Sequence, residues 1–527
     1  MSKRFLALAI LIAALIGPFV LGAQQTPPPA QGKTLSLTLD ECIARVLQKN
    51  VGLQASVLSP QLSELSLKQA GEKYYPSLSF NYTDSASRNA SYSWLDAGTG
   101  NVVTLTGQYS GSITQQIPLG GNAQISFNGN KTDSTSRGQT INPRYQATLS
   151  FSYTQPLLQG FGLKISNYNI LVARNNLDVS ETSFTKTVQD MVYTVTSAYW
   201  QLVQSIENLK VQRMSLQLSK DFLAKNQLSV EIGTLSPLDL LSAQSEVASR
   251  EASILAAEAS VNNNEDNLKM LLNLSEDEEK GLSAILPLDK PKLEETKVEL
   301  DQALMLAMQN RTDLKISQIG LKSQELSLNY TRNQALPSLG LTASYSSPGV
   351  SGTQILYDGN PLNGIVVGTV PGGSSDAFKD AFAFKYKNWS IRLNLSLPLS
   401  NVISRANLAQ AKLNMDQALL NLENQQKQVV LEIRNAVRSL QTTYKQVQAY
   451  KTARELAERK LQAEEEKLRI GQSTNYFVLQ YQRDLTNARI SELAAIVSYN
   501  LAQVALDRST GVILEKRNIK IANIFSN

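Results

Sequence analysis

Hydrophobic residues recur with two different periods along the chain, and the changes of period mark the predicted elements. Two long stretches begin after Pro156 and Pro398 and place apolar residues alternately four and three positions apart, as coiled-coil helices do. The matching positions lie 238 residues apart and are Met191, Val195, Ala198 and Leu202 in one stretch and Val429, Ile433, Ala436 and Leu440 in the other. A helix from about Asn167 to Glu231 would be about 100 Å long, which exceeds any compact domain.

Four shorter segments, which begin near Leu78, Ala147, Leu339 and Trp389, alternate apolar with polar residues, the period of a β-strand. An apolar face opposite Ser, Thr, Asn and Arg fits a soluble sandwich, and it also fits a membrane barrel whose polar face lines a wet lumen. The residues that would anchor a barrel at the membrane interfaces are Tyr145, Tyr153 and Trp389. The strands alone leave both alternatives open, and the long helices favour the barrel.

The order of elements occurs twice, which indicates an internal duplication. LTLDECIARVLQKN from Leu37 aligns with VELDQALMLAMQNR from Val298, and the tetrapeptide ELSL and the tripeptide PSL repeat at the same offset of 261 residues. Each copy reads as an opening helix, a strand hairpin, a long helix and a helix of about forty residues. We predict a first repeat at residues 37–297 and a second at residues 298–527. The opening helices should run from Leu39 to about Tyr75 and from Leu300 to about Ala335.

The copies differ between their strands. The first carries roughly sixty residues there, and alternation on both sides of Pro118 to Gly121 predicts a hairpin within residues 104–134. This hairpin fits an extracellular position and an additional membrane-spanning position equally well. The second copy has a glycine-rich segment from Ser347 to about Lys385, which predicts a loop. Four strands cannot close a barrel around a wet lumen, since about eight are the minimum, so a four-stranded chain would have to oligomerise.

The N-terminus has the three parts of a secretory signal peptide. Lys3 and Arg4 precede an apolar run from Phe5 to Leu21, and small residues follow at Gly22 and Ala23. We predict a signal peptide at residues 1–23 and a proline-rich linker at residues 24–36. A membrane anchor is the alternative, but the run is short and contains Gly17 and Pro18.

Composition argues against catalysis and against nucleic-acid binding. The chain is 42% hydrophobic and 18% charged, with a formal net charge of +5, no histidine and one cysteine. Without histidine or a nucleophile motif, we predict no enzyme activity, no catalytic residue, no metal site and no cofactor. Without a long basic run, we predict no nucleic-acid partner. Cys42 is expected to be a small apolar residue of a helix.

Taken together, these features resemble the TolC-type outer-membrane efflux proteins over essentially the whole mature chain. The residues that carry the resemblance are the two opening helices, the doubled PSL, PLLQGFG after the second strand, and the tips EIGTLSPLDLLSAQ and RIGQSTNYFVLQYQ. The resemblance implies an α+β membrane protein of the outer membrane. It would form a homotrimer with one shared transmembrane β-barrel, continued by a long periplasmic α-helical coiled-coil barrel.

The resemblance also implies a function and a set of partners. The chain would be the passive exit duct of a tripartite efflux or type I secretion system, surrounded by outer-membrane lipid. It would act with a periplasmic adaptor protein and an inner-membrane transporter. The alternative is a periplasmic or surface coiled-coil protein that transports nothing.

The resemblance assigns the two tips to the periplasmic mouth of the duct, where the adaptor would dock. The implied docking residues are Gly233, Leu235, Ser236, Gly471, Ser473 and Thr474. Well-studied members place aspartates after the second glycine to form a constriction, but this chain has Phe477 and Gln480 there. We therefore expect the constriction, with Asp239 as its remaining carboxylate, to close by packing and hydrogen bonding rather than by charge.

Overall fold

The computed structural model describes residues 33–91, 94–96, 100–233, 236–275, 278, 282–291, 293–359 and 365–521. The predicted signal peptide, residues 24–32 of the predicted linker and the predicted docking residue Leu235 lie outside these ranges, and residues 33–36 of the predicted linker belong to a strand. Among the described helices, none combines the length and the apolar character needed to cross a membrane.

Two very long helices dominate the fold. The helices are α1 (Leu39–Lys49), α2 (Val51–Gly71), α3 (Leu163–Ser166), α4 (Tyr168–Glu231), α5 (Pro237–Leu272), α6 (Leu300–Asn310), α7 (Thr312–Gln334), α8 (Ser374–Phe382), α9 (Val402–Arg469), α10 (Asn475–Ser509) and α11 (Ile513–Lys516). The long helices α4 and α9 contain 64 and 68 residues. At 1.5 Å per residue each is about 100 Å long, which confirms the helices expected from the heptad-like spacing.

The strands form two separate sheets. They are β1 (Lys33–Leu37), β2 (Ser77–Ala90), β3 (Asn101–Gln116), β4 (Asn122–Ser134), β5 (Ile141–Pro156), β6 (Leu282–Pro287), β7 (Ser338–Tyr357), β8 (Val366–Val370) and β9 (Asn388–Ser396). Strands β1 and β6 pair in parallel, and the other seven form one antiparallel sheet. Its order is β2-β3-β4-β5-β7, and β8 and β9 pair with opposite ends of β7.

The hairpin expected within residues 104–134 belongs to this sheet, because β3 pairs with β2 along its length and β4 pairs with β5. Its turn closes where Ile117 N donates to Gly121 O over 2.8 Å. One register row crosses six strands at Leu78, Ile113, Ile125, Phe151, Tyr345 and Trp389. The chain therefore supplies six strands at this level, namely the four expected in the two repeats and the two of the hairpin within residues 104–134. Gly111 and Gly129 occupy apolar-face positions and weaken the alternation of β3 and β4.

The expected loop from Ser347 to about Lys385 was wrong, because β7 continues to Tyr357 and helix α8 lies against the sheet. The small residues that suggested a loop accommodate this helix. An added Cβ at Gly349 would lie 2.0 Å from the carbonyl oxygen of Ala377. Ala377 and Ala381 of α8 are buried together with Ala147 of β5. A glycine-rich strand here indicates close packing rather than disorder.

Each opening helix is broken once, which the apolar pattern did not predict. Asn50 and Arg311 have extended backbones between α1 and α2 and between α6 and α7. The Asn50 carboxamide accepts from Leu53 N at 3.1 Å and caps α2. Arg311 forms ion pairs with Asp313 and Glu432, so a side-chain contact holds the second break.

Two apolar clusters hold the helices together. The first surrounds the small β1–β6 sheet, and the second lies among α6, α7, α9 and α10. In the first, the Tyr199 hydroxyl donates to the Asp289 carboxylate over 3.0 Å and so joins α4 to the segment after β6. Cys42 is fully buried in α1, as expected of a small apolar residue. This burial raises the pKa of its thiol to about 12, so the thiol is protonated at neutral pH.

Candidate functional site

The first long helix ends in a tight turn whose residues act as helix caps. Helix α4 ends at Glu231, and Gly233 follows with φ of +74°, a conformation that glycine adopts without strain. Ser236 is the N-cap of α5, and its hydroxyl accepts from Leu238 N at 3.2 Å. Pro237 is the first residue of α5, where its missing N–H costs nothing. Helix capping by these residues therefore fixes the turn.

The second turn has the same glycine but a different cap. Gly471 has φ of +79° after α9, and its N–H donates to Leu468 O over 3.1 Å. Thr474 is the N-cap of α10 without a side-chain cap bond. The Ser473 hydroxyl instead donates to Glu464, nine residues earlier near the end of α9, over 2.6 Å, and this hydrogen bond lowers the pKa of the Glu464 carboxyl. A serine thus ties the turn to the end of the long helix.

An aromatic group follows the second turn. Phe477 lies edge-on to Tyr476 and also contacts Tyr481, with ring centroids 5.6 and 6.4 Å apart. The Lys460 ammonium lies 3.9 Å from the centre of the Tyr481 ring. Phe477 is nevertheless 43% exposed, so this apolar group has a free side.

The predicted constriction residues lie on two different helices. Asp239 is in the first turn of α5, while Phe477 and Gln480 are in α10, where Gln480 is exposed. Within the described ranges, no hydrogen bond or ion pair connects Asp239 with either of them. A constriction built from these residues would therefore draw on both helices.

A buried ion group lies behind the turns, and sequence reasoning missed it. Glu246 of α5 is only 3% exposed, and it accepts from Arg250 Nε and Arg483 Nε, both over 2.7 Å. Since Arg483 belongs to α10, this carboxylate links two helices. The available signal was the spacing of Ala243, Glu246 and Arg250, which puts charged residues at positions of the helix seam where apolar residues are expected.

The seven-stranded sheet has one polar face, which neutral side chains dominate. Hydroxyl pairs join adjacent strands at Ser79–Ser112, Thr154–Thr342 and Ser344–Ser390, with oxygen separations of 2.8, 3.2 and 2.7 Å. Such a face is wettable without being strongly charged. The opposite face carries the aliphatic and aromatic side chains of the register row described above.

Two long edges of this sheet lack a partner strand in the described part of the chain. Strand β2 pairs only with β3, and β9 only with β7. All residues of both strands are exposed, including Leu78 at 79% and Trp389 at 74%. Exposed apolar strands with free N–H and C=O groups invite pairing with another chain.

The three predicted interface aromatics occupy different surroundings. Trp389 lies on the exposed edge strand β9, opposite Tyr345. The Tyr153 hydroxyl donates to Gln155 over 2.5 Å at the helix-proximal end of β5. Tyr145 packs against the α8 cluster at the other end of that strand. A membrane-interface role for these residues stays a prediction.

Comparison with known proteins identifies relatives of this architecture. A family model described as "Outer membrane efflux protein" matches residues 42–274 and 303–512. The chain is 21% identical over 396 residues to the outer membrane protein TolC of Vibrio cholerae, which covers 75% of this chain and 82% of that protein. 

Several solved structures share this fold over nearly the whole chain. A membrane protein from Pseudomonas aeruginosa has a TM-score of 0.65 at 17% identity, covering 90% of each chain. The CmeC outer membrane channel of Campylobacter jejuni has a TM-score of 0.61 at 17% identity, covering 92% of this chain and 89% of its own. The open MtrE outer membrane channel of Neisseria gonorrhoeae has a TM-score of 0.61 at 18% identity, with 92% and 90% covered.

Proposed function

The chain belongs to the outer membrane efflux protein family, and from this membership we propose that it is the exit duct of a tripartite efflux or type I secretion system. Family membership places it in the outer membrane, as an efflux channel with a periplasmic helical part. We propose in addition that the duct is passive. An inner-membrane transporter would supply the energy, and a periplasmic adaptor would connect the two.

The observation that carries this proposal is the pair of unpaired sheet edges, β2 and β9, at opposite sides of one sheet that has an apolar and a polar face. Pairing of β9 of one copy with β2 of the next would satisfy both edges. Three copies with six strands each would give eighteen strands, in the size range whose barrels hold an aqueous channel. The polar face would then line the channel, and the apolar face would contact lipid where helix α8 does not cover it.

The long helices also offer surface to neighbouring copies. Exposed apolar side chains continue along α4, α5 and α9 at Leu228, Leu241, Leu255, Leu413, Leu420 and Leu456. Apolar stripes of this extent on isolated long helices favour association with further helices. In a homotrimer these stripes would close a helical tunnel below the barrel.

We place the periplasmic mouth at the two helix turns. The proposed docking surface for the adaptor is Gly233, Leu235, Ser236, Gly471, Ser473 and Thr474. Support comes from the exposed glycine turns, where the backbone is open to a partner. The proposed constriction consists of Asp239, Phe477 and Gln480.

Ion conductance in planar lipid bilayers tests the duct directly. Purified protein should insert and give single-channel steps, and it should migrate on gels in a heat-modifiable way. A structural coiled-coil protein would give no conductance, and that result would contradict the proposal.

Crosslinking in cells tests adaptor docking. A cysteine at Ser236, in a Cys42→Ser background, should crosslink to a periplasmic protein that contains a long helical hairpin. A cysteine at the exposed Lys68 of α2 is the matched control, and it should not give this product. Products that contain only this chain would argue against docking at the turn.

A further inference from the structure

Charged residues in the seven-stranded sheet sort by face. The charged residues of its described strands are Asp84, Arg88, Lys131, Asp133, Arg144 and Arg392. Residues directly opposite each other in antiparallel strands share a face, so the register assigns each of them. Lys131 lies opposite Tyr145 and Asp133 opposite Leu105, which puts both on the apolar face.

The charges of the apolar face cancel. Asp84 and Lys131 lie on either side of Gly107 in one register row, and Asp133 lies opposite Leu105 in the next. Together with Arg88, which follows Asp84 by four residues in β2, the apolar face carries two acidic and two basic residues. All four are at the end of the sheet far from the helices.

The polar face carries only positive charge among the described strands. Arg392 of β9 lies opposite Thr342, and Arg144 of β5 lies opposite Thr132. Both side chains are exposed, and neither forms an ion pair with a residue in the described ranges. Their strand neighbours are hydroxyl, amide and glycine residues, so no carboxylate of the described strands balances them on that face.

The two arginines lie at different levels of the sheet. Thr342, opposite Arg392, lies opposite Thr154 of β5, and Arg144 is ten residues further along that strand. Ten residues span about 33 Å of a strand. Arg392 is thus near the helical end of the sheet and Arg144 near the far end.

We propose that Arg144 and Arg392 are specificity-determining residues that make the lumen favour anions, a proposal that rests on the proposed duct. In a trimer each would form a ring of three guanidinium groups facing the water-filled channel. Guanidinium groups bind carboxylate, phosphate and sulfonate groups in two-point contacts, so organic anions are the substrate class that this lumen fits. At the proposed constriction, Phe477 and Gln480 add no negative charge, and Asp239 is the one carboxylate named there.

The reversal potential of single channels in a KCl gradient measures this preference. The double variant Arg144→Gln, Arg392→Gln should lower the chloride-to-potassium permeability ratio by about twofold or more near 0.1 M salt. Arg392→Glu should lower it further. The effect should shrink near 1 M salt, because the screening length falls from about 10 Å to about 3 Å.

Lys131→Gln is the matched control, since it removes one positive charge from the apolar face of the same sheet. It should leave the permeability ratio unchanged. An unaltered ratio in the double variant with normal conductance overturns the proposal, and so does an equal shift in the control. Absence of any conductance in the wild-type protein would instead overturn the duct itself, and this proposal with it.

Discussion

Single residues hold the region of the helix turns in place. Among them Glu246 is charged and only 3% exposed. Neutralising it leaves Arg250 without a charged partner on α5 and weakens the link to Arg483 on α10. We expect Glu246→Gln to destabilise the turn region by about 1–3 kcal/mol. The rate of cleavage near the turns by a protease measures this change.

The control for this variant is Glu251→Gln, one turn further along α5. Glu251 pairs with Lys220 over 2.9 Å on an exposed surface. Such a pair contributes less than about 1 kcal/mol. Equal protease sensitivity of the two variants would contradict the role assigned to Glu246.

Phe477 is the residue on which the proposed constriction depends most. Its ring packs on Tyr476 and Tyr481 while one side stays exposed. Phe477→Ala removes that ring, so we expect a higher single-channel conductance in planar bilayers. Gln472→Ala, in the same turn, should conduct like the wild type. Unchanged conductance in Phe477→Ala would exclude the ring as a gate.

Glu278 lies between α5 and β6, and its ionisation makes the stability of this connection depend on pH. The backbone N–H of Ser275 and the guanidinium of Arg45 donate to its carboxylate, and they lower its pKa to about 2 from an ordinary 4.5. A carboxyl group whose pKa is lowered by folding stabilises the fold fully at pH values above its ordinary pKa. This stabilisation is lost as the pH falls through the pKa of the folded state.

Thermal unfolding at several pH values tests this linkage. Glu278→Gln should unfold at a lower temperature than the wild type at pH 7. That difference should shrink as pH falls from about 4.5 towards 2. A difference that stays constant from pH 7 to pH 2 would contradict the assignment.

Among the elements, the long helices were predictable and the packing of the sheet was not. The spacing of Val195, Ala198 and Leu202 in the sequence follows the buried face of α4 directly. The helix begins one residue after the predicted start at Asn167. In the sequence, a glycine in a loop cannot be distinguished from a glycine that lies under a packed helix, and Gly349 is such a case. Only the three-dimensional contact with Ala377 distinguishes the two.

The candidate site shows the same division. Gly233, Ser236 and Pro237 are local capping signals, so their roles could be predicted from a few neighbouring residues. The contact between Glu246 and Arg483 joins residues 237 positions apart. No local pattern contains that information, and the register of two helices decides it.

Helix α8 gives a prediction about packing between elements. Gly349→Ala puts a methyl group against the backbone of Ala377, so α8 should leave the sheet. Gly340→Ala in the same strand is the matched control, because its Cβ would meet nothing within 4 Å. Thiol labelling of a cysteine at the buried Ala381 should rise in the first variant alone. Equal labelling in both would show that α8 does not depend on this contact.

At the scale of the whole molecule, the chain is incomplete as a channel wall. It has a polar face and an apolar face, long helices on one side, and two free edges of exposed strand. One chain cannot turn six strands into a barrel that holds water, because a barrel of that size has no room for a lumen. The central claim is therefore that β2 and β9 of neighbouring copies pair.

A disulfide across that pairing tests the claim most directly. In a Cys42→Ser background, one cysteine is introduced on β2 near Phe80 and one on β9 near Leu393, at a small set of register positions. These cysteines should form disulfides between neighbouring copies. We expect covalent trimers, closed in a ring, on denaturing gels, with conductance retained. Monomers at every register position, in protein that still conducts, would contradict it.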